Sequence, residues 1–316
     1  MEAEVRQLHV MMVPWLSKSQ IRAFLEMAKK LRAQVPDLTV PPPGFRSARK
    51  HLDIFQKEEG QVNMAEPWSM CFKASWAIGF NLCVELDGKY LEYLERTTGW
   101  PVPPMGIQMP DLMPPPADDL CLAWLDMQKP CSVVVVSFGS ECILTQQELT
   151  VLALGLEESE LPFLFDLLHQ MAVALPHGFV ERTQRRGLPV TEWAPQLHIL
   201  AHPSAGALLN NCGWISVSGG LRFEVSFVTL ALLYEQSLNA KLIAQELELG
   251  VEVRRNEEDD SFSCKVVRTL MEEEEGRQIR SRVQEIIRDL TRNDSQVYRA
   301  SIHNFVSLIK QKASCK

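Results

Sequence analysis

The alternation of apolar runs with helically spaced apolar residues predicts strands and helices that follow one another along the chain. Short continuous apolar runs are typical of buried parallel strands. They occur at LHVMMV (8–13), SVVVVSF (132–138), PFLFDL (162–167), GLPVTEW (187–193), GALLNN (206–211), FVTLALL (227–233) and VEVRR (251–255). Helical spacing appears in IRAFLEMAKKLRAQ (21–34), TQQELTVLALGLEES (145–159) and LNAKLIAQELELG (238–250). This order predicts an α/β fold with a parallel sheet and right-handed crossovers.

Local signals refine the ends of these elements. Thr145 and Glu148 have the spacing of a capping box, which predicts a helix start. Gly250 follows the third helical segment and is predicted to be the residue just after its end. The tail Cys264–Lys310 is predicted to form two helices, and its run Glu272–Glu275 is interpreted as a solvated face.

A proline-rich stretch divides the chain. PVPPMGIQMPDLMPPPA (101–117) carries seven prolines, so it cannot form a helix or an inner strand. We therefore predict a linker here. Residues 1–117, including this linker, are assigned to an N-terminal domain, and residues 118–316 to a C-terminal domain that ends in helices.

Composition excludes several classes of protein. With 316 residues, 46% of them apolar, and a net charge of −8, the chain fits a globular protein and does not fit a nucleic-acid binder. No apolar run approaches the ~20 residues of a membrane span. The start MEAEVRQLHVMMV lacks the basic region of a signal peptide, so a cytoplasmic location is expected. The eight cysteines form no CxxC pair and are interpreted as reduced core thiols.

Several common catalytic motifs are absent. The chain has no GxGxxG, no GxxxxGK[ST] and no GxSxG. It therefore lacks the motifs typical of dinucleotide-binding oxidoreductases, P-loop NTPases and α/β-hydrolases, respectively. His198 and His202 have the spacing of two metal ligands on one helix face, but no third ligand stands nearby. We interpret them as ordinary histidines.

The segment from Trp193 to Gln236 carries the strongest functional signal. A Trp followed by Pro and Gln presents a flat ring beside an amide, which suits the recognition of a base. A strand, a tight turn and a helix start follow in ALLNNCGWISVSGG (207–220), an arrangement that binds phosphate. Glu235 and Gln236 end the segment after another apolar run. Since ligands bind at strand carboxyl ends in open α/β sheets, the segment predicts a nucleotide site.

This segment resembles the signature box of plant UDP-dependent glycosyltransferases, glycosyltransferase family 1, which opens W-x-P-Q, contains H-C-G-W-N-S and ends in D/E-Q. SFGSE, LALGLE, ILAH and NAKLI stand in family-like order, and details resemble the group that adds a sugar to a sugar of flavonoid or terpenoid glycosides. The resemblance implies the GT-B fold, with two Rossmann-like domains of which the N-terminal one is truncated here. It also implies a UDP-sugar as co-substrate, a small glycoside as acceptor, and no cofactor or metal.

The resemblance assigns donor-binding roles to individual positions. Trp193 matches the Trp that stacks on uracil, and Gln196 matches the Gln that contacts the nucleoside. The other matched positions are Ser140 in the glycine turn facing the phosphates, Asn211, Gly213, Trp214 and Ser216 at the diphosphate, and Glu235 with Gln236 at the donor sugar.

Four positions depart from the family pattern. Asn211 replaces a His, Ile215 an Asn and Gly219 a Glu, and Gln20 stands where the catalytic His is expected. A Gln amide is no general base near neutral pH. Three hypotheses therefore stay open: an inverting, metal-independent UDP-glycosyltransferase; a family member that binds the nucleotide sugar without turnover, or a degenerate gene product; and an unrelated Rossmann-type binding protein.

Overall fold

The computed structural model describes residues 83–99, 101–107, 112–139, 142, 144–167, 175–232, 236–253, 263, 265–293 and 299–314. The chain divides into two compact units, one of Met1–Pro110 with Leu290–Lys316 and one of Asp111–Asp289. The boundary after Pro110 falls inside the proline-rich stretch 101–117. The predicted strand 8–13 and helix 21–34 lie outside the described residues.

The unit Asp111–Asp289 is built on a six-stranded sheet whose neighbouring strands are all parallel. The strands are β1 Val133–Ser137, β2 Phe163–Asp166, β3 Gly187–Val190, β4 Ala205–Asn210, β5 Ser226–Thr229 and β6 Gly250–Glu252. Their order across the sheet is β3-β2-β1-β4-β5-β6, the order of doubly wound nucleotide-binding folds. The predicted parallel α/β architecture is confirmed, and each apolar run from residue 132 to 255 overlaps one of these strands.

Helices alternate with the strands. They are α1 Val84–Thr98, α2 Leu120–Asp126, α3 Gln146–Ser159, α4 Phe179–Thr183, α5 Gln196–Ala201, α6 Trp214–Arg222, α7 Gln236–Lys241, α8 Val266–Glu272, α9 Glu274–Asn293 and α10 Arg299–Ser314. The capping box is confirmed: Glu148 N donates to Thr145 Oγ1 at 3.2 Å, and Thr145 N donates to Glu148 Oε2 at 2.8 Å. These two bonds satisfy donors that a helix start otherwise leaves free.

The core lies in the middle of the sheet. Every residue of β1, β4 and β5 is buried, whereas the edge strands β3 and β6 are partly exposed. Continuous apolar sequence in the inner strands is the consequence of helices covering both faces of a parallel sheet.

Gly250 does not follow a helix end, contrary to the sequence prediction. The helical segment runs through α7 into a π-helix, Leu242–Glu246, and the chain then turns at Glu248, whose φ is +54°. Gly250 is the first residue of β6, where a Cβ would run into the backbone and side chain of Phe227 in β5. Close strand approach, and not helix capping, therefore explains the glycine.

The tail contains three described helices where two were predicted. The break falls at Glu273, which has extended φ and ψ of −89° and 169° between α8 and α9. Shortly after it, Gly276 lies so close to Leu270 O that no side chain fits there. The acidic run Glu272–Glu275 is exposed, as predicted. A charged run therefore marks the solvent side of a helix boundary that periodicity alone does not reveal.

The described part of the other unit is small. Gly99 caps the carboxyl end of helix α1. Its φ is +68°, and its N–H donates to Glu95 O at 2.9 Å. The same glutamate accepts from Val102 N through Oε1 at 2.9 Å, and Val102 and Met105 are buried. In the described residues, no helix has the length and apolar character needed to cross a membrane.

Candidate functional site

The strand order reverses between β1 and β4, so the carboxyl ends of these strands open a crevice. Ser137 ends β1 and Asn210 ends β4. Connections leaving these two strands go to opposite halves of the sheet, and open α/β sheets bind ligands at this point. The predicted phosphate-binding turn follows β4 directly.

That turn leads into a helix without a capping side chain. Helix α6 begins after Gly213, and no side chain caps it. The start of a helix is the end at which backbone N–H groups can bind an anion. Cys212 holds the turn in a left-handed conformation, φ +61°, which is uncommon for a residue other than glycine. Asn239 donates its amide to Cys212 O at 2.9 Å and fixes this conformation. The backbone form of an anion site is thus present.

The side chains around the turn supply little charge. Asn211 is 7% exposed, and its Oδ1 accepts from Gly213 N at 3.5 Å, the limit of a hydrogen bond. Burial raises the pKa of the Cys212 thiol to about 12, so it is neutral at pH 7. Ile215 offers no polar group, and Gly219 is buried. The polarity of this turn therefore comes mainly from its backbone.

One buried polar group beside the turn is unpaired. Asn210 Nδ2, at the end of β4, has no hydrogen-bond partner among the described residues, although Asn210 is fully buried. Leaving a buried donor unpaired costs about 1–3 kcal/mol. This edge of the sheet thus keeps hydrogen-bonding capacity that folding by itself does not use.

The segment after β3 reaches the end of β1 through Gln196. Trp193 is 72% exposed, an unusual degree of exposure for a ring of this size. Gln196 is the first residue of α5, and its Nε2 donates to Ser137 Oγ at 3.3 Å. The exposed ring of Trp193 therefore lies three residues before the Gln196 amide, which is hydrogen-bonded to the end of β1.

Ser137 also forms a hydrogen bond with Asp166. Its hydroxyl donates to Asp166 Oδ2 at 2.8 Å, between residues that are register partners at the ends of β1 and β2. Burial raises the pKa of Asp166, and the bond from Ser137 partly opposes this. The sequence analysis missed both residues. The available signal was that each is polar and stands near the end of an apolar strand.

The pKa of Asp166 predicts a pH dependence of stability. Because this pKa is raised in the folded chain, the contribution of Asp166 to stability is present below the usual carboxyl value of about 4 and is lost as the pH rises through the folded-state pKa. We expect the free energy of unfolding of the native chain, relative to Asp166→Asn, to fall as the pH rises above about 4. Urea unfolding at several pH values measures it, and a difference that is constant with pH contradicts it.

The remaining predicted site residues divide into described and undescribed ones. Trp214 and Ser216 are half-buried in the first turn of α6. Gln236 is buried at the start of α7, where its Oε1 accepts from Leu232 N at 3.1 Å. Ser140, Glu235 and Gln20 lie outside the described residues, and their roles stay predictions.

The two histidines have structural partners. His198 Nε2 lies 2.7 Å from Met113 O. His202 Nδ1 accepts from Ser204 N at 3.2 Å, which places its proton on Nε2, 3.1 Å from Asp126 Oδ1. Within the described ranges, no three His, Cys, Asp or Glu side chains are grouped to hold a metal ion.

The described cysteines agree in part with the sequence analysis. Cys83, Cys121, Cys142 and Cys212 are free and buried, as predicted for reduced core thiols. Cys131 is also free but exposed, so its interpretation as a core thiol is wrong. It precedes β1 with a φ of +52°, in a turn at the surface. Cys71, Cys264 and Cys315 lie outside the described residues.

The sheet order, the crevice and the position of helix α6 define a Rossmann-like domain. Residues 115–261 match the family model described as "UDP-glucoronosyl and UDP-glucosyl transferase". The domain formed by these residues belongs to the UDP-glycosyltransferase family.

Curated relatives agree with this assignment. UDP-glycosyltransferase 91D1 of Stevia rebaudiana is 34% identical over 303 residues, which is 89% of this chain and 62% of the relative. Soyasaponin III rhamnosyltransferase of Glycine max is 38% identical over 216 residues, 64% of this chain and 46% of the relative. The chain thus spans less than two thirds of the length of these relatives.

Solved structures confirm the predicted α/β fold of the GT-B type. UGT2 of Phytolacca americana, solved with UDP-2-fluoro-glucose and pterostilbene, has a TM-score of 0.69 at 31% identity, over 77% of this chain and 56% of that one. A UDP-glucosyltransferase of Polygonum tinctorium has a TM-score of 0.70 at 29% identity, over 75% of this chain and 55% of that one.

Proposed function

We propose that this chain binds a UDP-sugar at the carboxyl edge of its sheet and lacks the general base needed for rapid sugar transfer. The observation that carries this proposal is the exposed ring of Trp193 three residues before Gln196, whose amide is anchored to the end of β1. A base stacked on the ring would place its ribose near the amide. The diphosphate would then lie toward the uncapped start of α6.

The composition of the turn limits the expected affinity. A diphosphate carries negative charge, and the described side chains nearest to it by sequence, Asn211 and Ile215, are uncharged. Backbone N–H groups then supply most of the attraction. We therefore expect binding that is weaker than that of a relative carrying His, Asn and Glu at positions 211, 215 and 219.

The absence of a base rests on Gln20. The resemblance places the catalytic His at this position, and an amide cannot take a proton from an acceptor hydroxyl near neutral pH. The resemblance also places the acceptor site in the N-terminal domain, which the sequence comparison with the family pattern predicts to be truncated in this chain. Both features favour binding over turnover.

A second candidate function is inverting, metal-independent transfer of a sugar from a UDP-sugar to a small glycoside. It is supported by two relatives, a soyasaponin III rhamnosyltransferase and a cyanidin-3-O-glucoside 2-O-glucuronosyltransferase of Bellis perennis. The names of these two relatives describe the transfer of a sugar to a glycoside, which supports this candidate. With either function, we expect the protein to be located in the cytoplasm.

Substituting Trp193 by alanine tests donor binding. We expect UDP affinity, measured by calorimetry, to fall about fivefold to a hundredfold, because stacking of a base on an aromatic ring contributes about 1–3 kcal/mol. Val180→Ala, at an exposed position in α4, is the control and should leave the affinity unchanged. Absence of UDP binding by the native chain, or binding that Trp193→Ala does not weaken, contradicts the proposal.

A transfer assay separates the two candidate functions. The native chain and Gln20→His are incubated with a panel of UDP-sugars and with flavonoid and terpenoid glycosides, and the products are followed by chromatography. We expect no transfer by the native chain. Turnover by the native chain would establish the second candidate and remove the proposal that it lacks a working base.

A further inference from the structure

We propose that Asp166 is a positioning residue for the nucleoside: acting through Ser137, it fixes the orientation of the Gln196 side-chain amide. This inference rests on the proposed binding of UDP. It assigns a role to a carboxylate that stands on β2, one strand away from the crevice between β1 and β4.

The three side chains form a chain of hydrogen bonds across the carboxyl edge of the sheet. Gln196, after β3, donates to Ser137 on β1, and Ser137 donates to Asp166 on β2, at 3.3 and 2.8 Å. Ser137 is 1% exposed, so water does not compete for its hydroxyl. The contact therefore links the ends of β1 and β2 to the start of α5.

The direction of these bonds follows from the chemistry of the last acceptor. An ionised carboxylate only accepts, so the single proton of the Ser137 hydroxyl must point to Asp166. The oxygen of Ser137 then has only lone pairs to offer Gln196, which must turn its NH₂ group inward. The amide oxygen of Gln196 is left facing away from Ser137 as an acceptor.

The outward oxygen matches a donor on the ligand. Among the described residues, no hydrogen bond to Gln196 Oε1 is found, so it is available to a hydroxyl or N–H of a nucleoside. Without Asp166, the Ser137 proton could point to Gln196 instead, and the amide would be free to turn over. The ligand would then meet NH₂ donors and oxygen acceptors in a mixture of orientations.

The environment of Asp166 disfavours its charged form. Burial raises its pKa, which means that the charged form is less favourable here than in water. No basic side chain of the described residues forms an ion pair with it. A carboxylate at such a place is typical of function that opposes stability.

A double-mutant cycle tests the proposal. UDP affinity is measured by calorimetry for the native chain, Asp166→Ala, Gln196→Ala and the double variant. We expect Asp166→Ala to weaken UDP about three- to tenfold in the native background and less than about twofold in the Gln196→Ala background, because the effect passes through the amide. Ser137→Ala, which breaks the chain in its middle, should weaken UDP by a similar factor.

The stability of Asp166→Ala provides a second readout, because replacing a residue with a purely structural role would lower the stability of the folded chain. At pH 7 we expect Asp166→Ala to unfold at a urea concentration equal to or above that of the native chain, although it binds UDP more weakly. Asp126→Ala is the control, since Asp126 is an exposed carboxylate paired with His202, and it should leave UDP affinity unchanged.

The outcomes separate this inference from the proposed function. If the native chain binds no UDP, the proposed function and this inference both fall. If Trp193→Ala weakens UDP but Asp166→Ala does not, only the inference is overturned. Equal weakening by Asp166→Ala with and without Gln196 also overturns it, because the effect would then reach the ligand by another route.

Discussion

Replacing Phe163 by alanine is expected to lower the free energy of unfolding by about 3–5 kcal/mol. Phe163 is fully buried in β2, and its ring stacks on that of Phe179 with centroids 5.9 Å apart. On another side the ring lies so close to Gly187 that a Cβ there would overlap it, and the Arg186 guanidinium stands 5.8 Å from its centroid. A cavity at this position is bounded by backbone of β3, which limits how far the site can collapse.

Urea unfolding followed by circular dichroism measures this loss. Trp193→Ala is the matched control, because it removes a larger ring that is 72% exposed. We expect that control to change stability by less than about 0.5 kcal/mol while weakening UDP. A loss below about 1.5 kcal/mol for Phe163→Ala would show that the surroundings refill the space.

Restoring the family residues in the phosphate turn is expected to tighten UDP binding by a factor on the order of one hundred. The variant is Asn211→His with Ile215→Asn and Gly219→Glu. Each change adds a hydrogen-bonding group where the native chain has a weakly bonded amide, an alkyl group or no side chain. A hydrogen bond to a charged group contributes about 1.5–3 kcal/mol, so two or three of them account for this factor.

Calorimetric titration with UDP measures the gain. Because Gly219 is buried in the structure, the variant without Gly219→Glu is titrated as well, and it should show part of the gain. Ile215→Leu, which adds no polar group, is the control and should leave the affinity unchanged. A gain below about threefold in the complete variant would show that these substitutions do not set the affinity.

Much of the fold could be predicted because parallel inner strands are apolar throughout. The run at Val133–Ser137 and the run ending at Asn210 are buried at every position, so their sequence pattern is unambiguous. The capping box at Thr145 was predictable for a similar reason, since both partners lie within one helical turn. Local sequence determines such features without help from the rest of the chain.

Other features depend on distant contacts. Gly250 looks like a helix end in sequence, but the requirement for glycine comes from Phe227 in the neighbouring strand. The boundary at Glu273 lies inside the charged run Glu272–Glu275, which has no apolar spacing to interpret. The extended backbone of Glu273 and the packing of Gly276 against Leu270 O reveal it. Cys131 was assigned to the core from its residue type, while the turn that holds it lies at the surface.

The candidate site divides in the same way. The sequence by itself determined the segment from Trp193 to Gln236 and its order of strand, turn and helix, because these residues are contiguous and their spacing is preserved. Only the tertiary structure brought Ser137, Asp166 and Gln196 into one chain of hydrogen bonds. The physical reason is that these hydrogen bonds join the ends of β1 and β2 and the start of α5, and that Asp166 and Gln196 lie 29 and 59 residues from Ser137 along the sequence.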